Sequence, residues 1–168
     1  MSDLTIDKCI NLLLSEQREN NVNDPKWSYY YAREVVRGRF PKGERAIASA
    51  PEWAYKYARY VIGGRFPEGE EAIATSTKWS YYYARDVIKG RWLEGERALA
   101  SNSMWAYYYA KNVIKGRFSE GEIAIASVPQ LAYQYALNVI KGRFPEGERA
   151  IASDSRVAYD YHRYVANK

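Results

Sequence analysis

The groups that bind metals, carry protons or attack substrates are sparse in this chain. His162 is the only histidine and Cys9 the only cysteine, so there is no Cys/His set to hold a transition metal. Cys9 reads as a small apolar residue of a helix rather than a reactive thiol. Carboxylates are plentiful, but they come in register. Lys42, Glu68, Glu94, Glu120 and Glu146 share one place, and Glu44, Glu70, Glu96, Glu122 and Glu148 share another. A general acid–base pair is normally one special place, not a series of copies. No glycine-rich phosphate loop sits between a strand and a helix. These features point away from an enzyme, and neither a metal nor a cofactor is expected. A further ladder, Arg39, Arg65, Arg91, Arg117 and Arg143, could grip phosphates. The equal number of glutamates at the second acidic place favours Arg–Glu pairing instead.

These ladders exist because the chain repeats. Trp27, Trp53, Trp79, Trp105, Leu131 and Val157 each open a copy of one phrase, at a constant step of 26 residues. A fixed period of this size marks an array of stacked supersecondary units. Columns are numbered here from that opening residue. Column 12 is Gly38, Gly64, Gly90, Gly116 and Gly142, which reads as the left-handed glycine that ends a helix. The first helix of each copy then starts at Pro25, Pro51 or Pro129, or after Ser76, Asn102 or Asp154, and covers about a dozen residues. On a wheel of roughly 100° per residue its columns 1, 5, 9, 2, 6, 10 and 3 make a wide apolar arc. Columns 7, 11, 4 and 8 fill the rest. A second, shorter helix starts at Pro41, Pro67, Leu93, Ser119 or Pro145 and ends at the Ser or Thr of column 23. Its column-17 glycines, Gly43, Gly69, Gly95, Gly121 and Gly147, are costly in a helix, and close approach to the first helix would require them.

The expected fold is all-α: a solenoid of tandem helix-turn-helix repeats with N- and C-terminal capping helices. Residues 1–26 depart from the repeat and predict an N-terminal capping helix and turn, with Asp3 as N-cap. Residues 27–156 hold five helical hairpins. Residues 157–168 predict a C-terminal capping half-repeat, because His162 replaces an alanine found in all five earlier copies. No apolar run approaches the length of a membrane span, and residues 1–5 do not begin a secretory signal, so a cytoplasmic setting is expected. The net charge is +5, with −2 on residues 1–26 and +7 on the remainder.

Residues 105–126, with Ala-Lys-Asn-Val-Ile-Lys-Gly-Arg-Phe followed by Glu-Gly-Glu-x-Ala-Ile-Ala, resemble a 26-residue tandem repeat of uncharacterised bacteriophage and bacterial proteins. The resemblance covers 27–168. It implies an α-helical repeat and a phage or bacterial origin, hence a host cytoplasm for a phage-encoded chain. It carries no catalytic residue. The array is similar in logic to tetratricopeptide and Sel1-like repeats, but its period is shorter and their signature residues are absent.

Recognition in solenoids is written where surface columns vary over a fixed scaffold. Columns 3 and 5 are Tyr in all six copies and read as packing residues. Column 4 varies (Tyr30, Lys56, Tyr82, Tyr108, Gln134, Asp160), as does column 8 (Glu34, Tyr60, Asp86, Asn112, Asn138, Tyr164). With Arg33, Arg59, Arg85 and Lys111 of column 7, these positions have the chemistry of binding hot spots. The partner-binding candidates are therefore Tyr30, Arg33, Lys56, Arg59, Tyr60, Tyr82, Arg85, Tyr108, Lys111 and Gln134. The expected partner is a protein. The alternative is nucleic acid, tracked by columns 7 and 11 among exposed tyrosines.

Overall fold

A computed structural model describes residues 21–166. The N-terminal capping helix, Asp3 and Cys9 lie outside the described residues. Among those described, the chain is all-helical, with no strand. It divides into two compact units, Met1–Ala72 and Ile73–Lys168.

The first unit contains α1 (Pro25–Tyr30), α2 (Pro41–Ala48), α3 (Pro51–Tyr57) and most of α4 (Pro67–Ala74). The second contains α5 (Thr77–Tyr83), α6 (Leu93–Ala100), α7 (Ser103–Tyr109), α8 (Glu122–Ala126), α9 (Pro129–Tyr135), α10 (Pro145–Ala152) and α11 (Ser155–Tyr161). Proline opens α1, α2, α3, α4, α9 and α10, whereas α5, α6 and α8 start without proline or a capping side-chain bond. Asp24, Asn102 and Asp154 accept hydrogen bonds from the first backbone N–H groups of α1, α7 and α11. The fourth copy opens its second helix with a 3₁₀ turn, Ser119–Gly121.

Within each unit, helices pair as hairpins and neighbours of the same kind lie side by side. In the second unit, α5, α7, α9 and α11 form one layer, and α6, α8 and α10 pack against it. The column-17 glycines make this fit. A Cβ on Gly69 would lie 2.7 Å from Ala54 Cβ and 2.6 Å from the Phe66 ring. On Gly121 it would lie 2.8 Å from Ala106 Cβ. Close approach of the two helices therefore does require glycine. Ile47 in the first unit, and Ile73, Leu99, Ile125 and Ile151 in the second, bury the same narrow face.

The end of the first helix differs from the expectation. Its last turn is π-helical: Tyr31–Val36, Ala58–Ile62, Ala84–Ile88, Ala110–Ile114, Ala136–Ile140 and His162–Ala166. The column-6 carbonyl, as in Ala110, accepts from both Lys115 N and Gly116 N. That wider closure brings the left-handed residue one position earlier. Arg37, Gly63, Lys89, Lys115 and Lys141 of column 11 take φ between 54° and 71°. The column-12 glycines do not, and a Cβ on Gly64, Gly90 or Gly142 would meet nothing within 4 Å. The column-9 and column-10 residues Val35 and Val36 of the first copy are exposed, whereas their counterparts Val61, Ile62, Val87, Ile88, Val113, Ile114, Val139 and Ile140 end the same π turns half-buried.

Candidate interaction surface

The Arg ladder is paired. Arg39 makes two hydrogen bonds to Glu44 (2.7 and 2.9 Å), and Arg65, Arg91, Arg117 and Arg143 repeat the geometry on Glu70, Glu96, Glu122 and Glu148. A column-5 tyrosine from the following copy completes the cluster. Tyr57 Oη donates to Glu44 (2.7 Å) and accepts from Phe40 N (2.7 Å). In the second unit Tyr109, Tyr135 and Tyr161 do the same for Glu96, Glu122 and Glu148.

Electrostatics follow from this geometry. The Arg39 guanidinium holds the Glu44 carboxyl below its ordinary range, and Arg117 and Arg143 do so for Glu122 and Glu148. Burial pushes Tyr57 up to about 12, and pushes Tyr109 and Tyr135 up as well. These groups tie one hairpin to the next, and their charges are already satisfied. The ladder is therefore structural.

On the opposite edge of the first helices, the candidates fall into two groups, one in each unit. In the first unit, Tyr30 is 38% and Tyr60 57% exposed. Tyr30 packs on Trp53 (centroids 5.9 Å), the Lys56 ammonium lies 4.3 Å from the Trp53 ring, and Arg33 lies over Tyr60. Arg33 also donates to Tyr29 Oη, and Lys56 pairs with Glu52. Arg59 is exposed beside Tyr60 in sequence.

In the second unit, Trp79, Tyr82, Trp105 and Tyr108 form a chain of ring contacts at 5.9, 5.9 and 6.4 Å. Arg85 lies over the Tyr82 ring at 4.8 Å and pairs with Asp86. Lys111 donates to Tyr107 Oη. Gln134, half-buried, lies one copy further on, and its backbone carbonyl accepts from Asn138.

Three contributors escape the sequence reading. Trp53 and Trp105 fall in the expected apolar arc, yet both contribute to the surface: Trp105 meets Tyr108 and Trp53 meets Lys56, each three residues ahead on the same face, and Trp53 also meets Tyr30 of the preceding copy. Asn112 and Asn138 donate to Tyr81 Oη and Tyr107 Oη, which fixes the buried column-3 tyrosines. Column 11 is legible in the sequence as a basic strip, but that its lysines are left-handed follows only from the π turn.

No helix among the described residues is long and apolar enough to cross a membrane. Comparison with family models, with curated proteins and with solved structures gave no match.

Proposed function

We propose that the chain is a non-enzymatic solenoid of helical-repeat hairpins that binds a protein partner through columns 4, 7, 8 and 11. The observation carrying this reading is the half-exposed aromatic surface of each unit: Tyr30, Trp53 and Tyr60 in the first, Tyr82, Trp105 and Tyr108 in the second. Tyrosine and tryptophan with arginine at the edge are the anchors that dominate protein interfaces. Here their rigidity comes from a scaffold whose other columns hardly change. Taken with the resemblance to phage repeats, the partner is a host factor that the protein blocks in the host cytoplasm.

Replacing Tyr30, Tyr82 and Tyr108 together by alanine is expected to abolish capture of the partner while the circular dichroism spectrum stays helical. Full-strength capture by that variant would remove these tyrosines from the interface.

The second reading is nucleic acid. The column-11 cations favour it, since Arg37, Lys89, Lys115 and Lys141 are exposed. Labelled oligonucleotides titrated at low and moderate salt decide the matter. Binding through several cations would weaken by about one logarithmic unit of affinity per logarithmic unit of salt for each phosphate neutralised.

A further inference from the structure

Lysine is a poor choice for a left-handed backbone position, and glycine is the natural one. Gly63 takes that role once. In the second unit the choice is reversed three times: Lys89, Lys115 and Lys141 take φ of 59°, 56° and 58°. Each is followed by a glycine that neither backbone angle nor packing demands: around Gly90 and Gly142 a Cβ would meet nothing within 4 Å, and around Gly116 only ordinary contact at 3.9 Å. A strained position kept at a cation, next to bare backbone, points to use of that cation.

The surroundings leave these lysines uncompensated. Among the described residues none of the three has an ion pair or a side-chain hydrogen bond. The π segments they terminate, 84–88, 110–114 and 136–140, contain one carboxylate, Asp86, which Arg85 already holds. Beside Lys141 and Gly142 the surface opens into a hollow of about 320 Å³, also lined by Leu137, Asn138, Tyr164 and Val165.

We infer that Lys89, Lys115 and Lys141 form a docking strip for an extended acidic protein segment with a carboxylate at every third residue. This rests on the protein-binding reading above and names its partner chemistry. The register follows from packing. The first helices α5, α7 and α9 lie side by side, so their ends are spaced by about 8–10 Å. An extended chain in the polyproline II conformation has three residues per turn and rises about 3.1 Å per residue, so every third side chain lies on one side and meets the next lysine. Nucleic acid fits less well. In the same unit Arg85 covers a face of Tyr82, and Trp105 is packed between Tyr82 and Tyr108, so Tyr82 and Trp105 offer less open ring face to stacking bases.

The test uses the full chain and three labelled probes of equal charge. One is a peptide with Glu at every third position, one a peptide with the same residues and its Glu contiguous, and one a single-stranded oligonucleotide. The spaced peptide is expected to bind best and to weaken as salt rises. Replacing the three lysines by glycine should lower its affinity by about tenfold or more, with no loss of thermal stability, because glycine suits the left-handed positions. No binding of the spaced peptide, equal binding by the glycine variant, or preference for the contiguous peptide or the oligonucleotide would each overturn the inference. Partner capture separates it from the parent reading. If the tyrosine variant loses the partner and the lysine variant keeps it, the acidic segment is wrong and the protein interface stands. If both keep it, the protein interface itself is wrong.

Discussion

Trp92 occupies the place that Phe40, Phe66, Phe118 and Phe144 hold in the other copies. Its ring is buried, and its indole N–H has no hydrogen-bond partner among the described residues. An orphaned buried donor costs about 1–3 kcal/mol, comparable with the burial gained by the larger ring. The scaffold accepts phenylalanine in the same setting, so Trp92→Phe leaves little cavity. Urea denaturation is expected to find Trp92→Phe at least as stable as the parent, whereas Phe118→Trp loses about 1–3 kcal/mol by overpacking against Gly121. A large loss on Trp92→Phe would mean that the indole has a partner after all. The left-handed residues behave in mirror fashion. Lys115→Gly should gain about 1 kcal/mol, and Gly63→Lys should lose about as much. If the two substitutions shift the denaturation midpoint in the same direction, the backbone at column 11 is not what limits stability there.

At the scale of the helix, the second element of each hairpin depends on what it lacks. Gly69→Leu would drive a side chain into Ala54 and the Phe66 ring, at a cost of about 1–3 kcal/mol or more. Glu68→Ala removes an exposed carboxylate from the first turn of α4, worth about 0.3–1 kcal/mol. Thermal melts should place the glycine variant well below the glutamate variant, and equal melting temperatures would contradict the close approach. The sequence makes this much legible because proline, Asn102, Asp154 and the column-17 glycines each act locally, within one turn of the residue that reveals them. The Arg–Glu pairs are legible too, five residues apart and matched in number. The π turns are not. A 100° wheel assumes the α-helical bond pattern, and so it assigns the left-handed residue to column 12. The tyrosine that joins each Arg–Glu pair is equally hidden, because Tyr57 reaches Glu44 across 13 residues and from the next copy. The candidate surface is legible as a set of columns, but its tryptophans are not, since Trp53 and Trp105 read as core.

For the whole molecule, the repeated Arg–Glu–Tyr clusters set the limits of pH stability. Glu44, Glu122 and Glu148 have folded-state pKa values depressed chiefly by their arginines. Their contribution is fully present above the unfolded carboxylate pKa of about 4.3, and it is lost as the pH falls through the lower folded values. Tyr57, Tyr109, Tyr135 and Tyr161 have raised values, chiefly through burial, with Tyr57 near 12. Their contribution is fully present below the unfolded tyrosine pKa of about 10 and is lost as the pH rises through the folded ones. Between these limits these groups leave stability flat. On the alkaline side several copies lose stability together, so the decline should be steeper than one group gives, which is about 1.4 kcal/mol per pH unit. Circular dichroism melts across this range, read beside tyrosinate absorbance, test the coupling. Helix loss and buried-tyrosine ionisation are expected to coincide. Tyr135→Phe is expected to lower stability near neutral pH, since Phe118 N then loses its acceptor, and to make the alkaline limb shallower by one group. If the buried tyrosines ionise while the helices remain intact, or if the Tyr135→Phe limb keeps the parent slope, the clusters do not govern the alkaline limit.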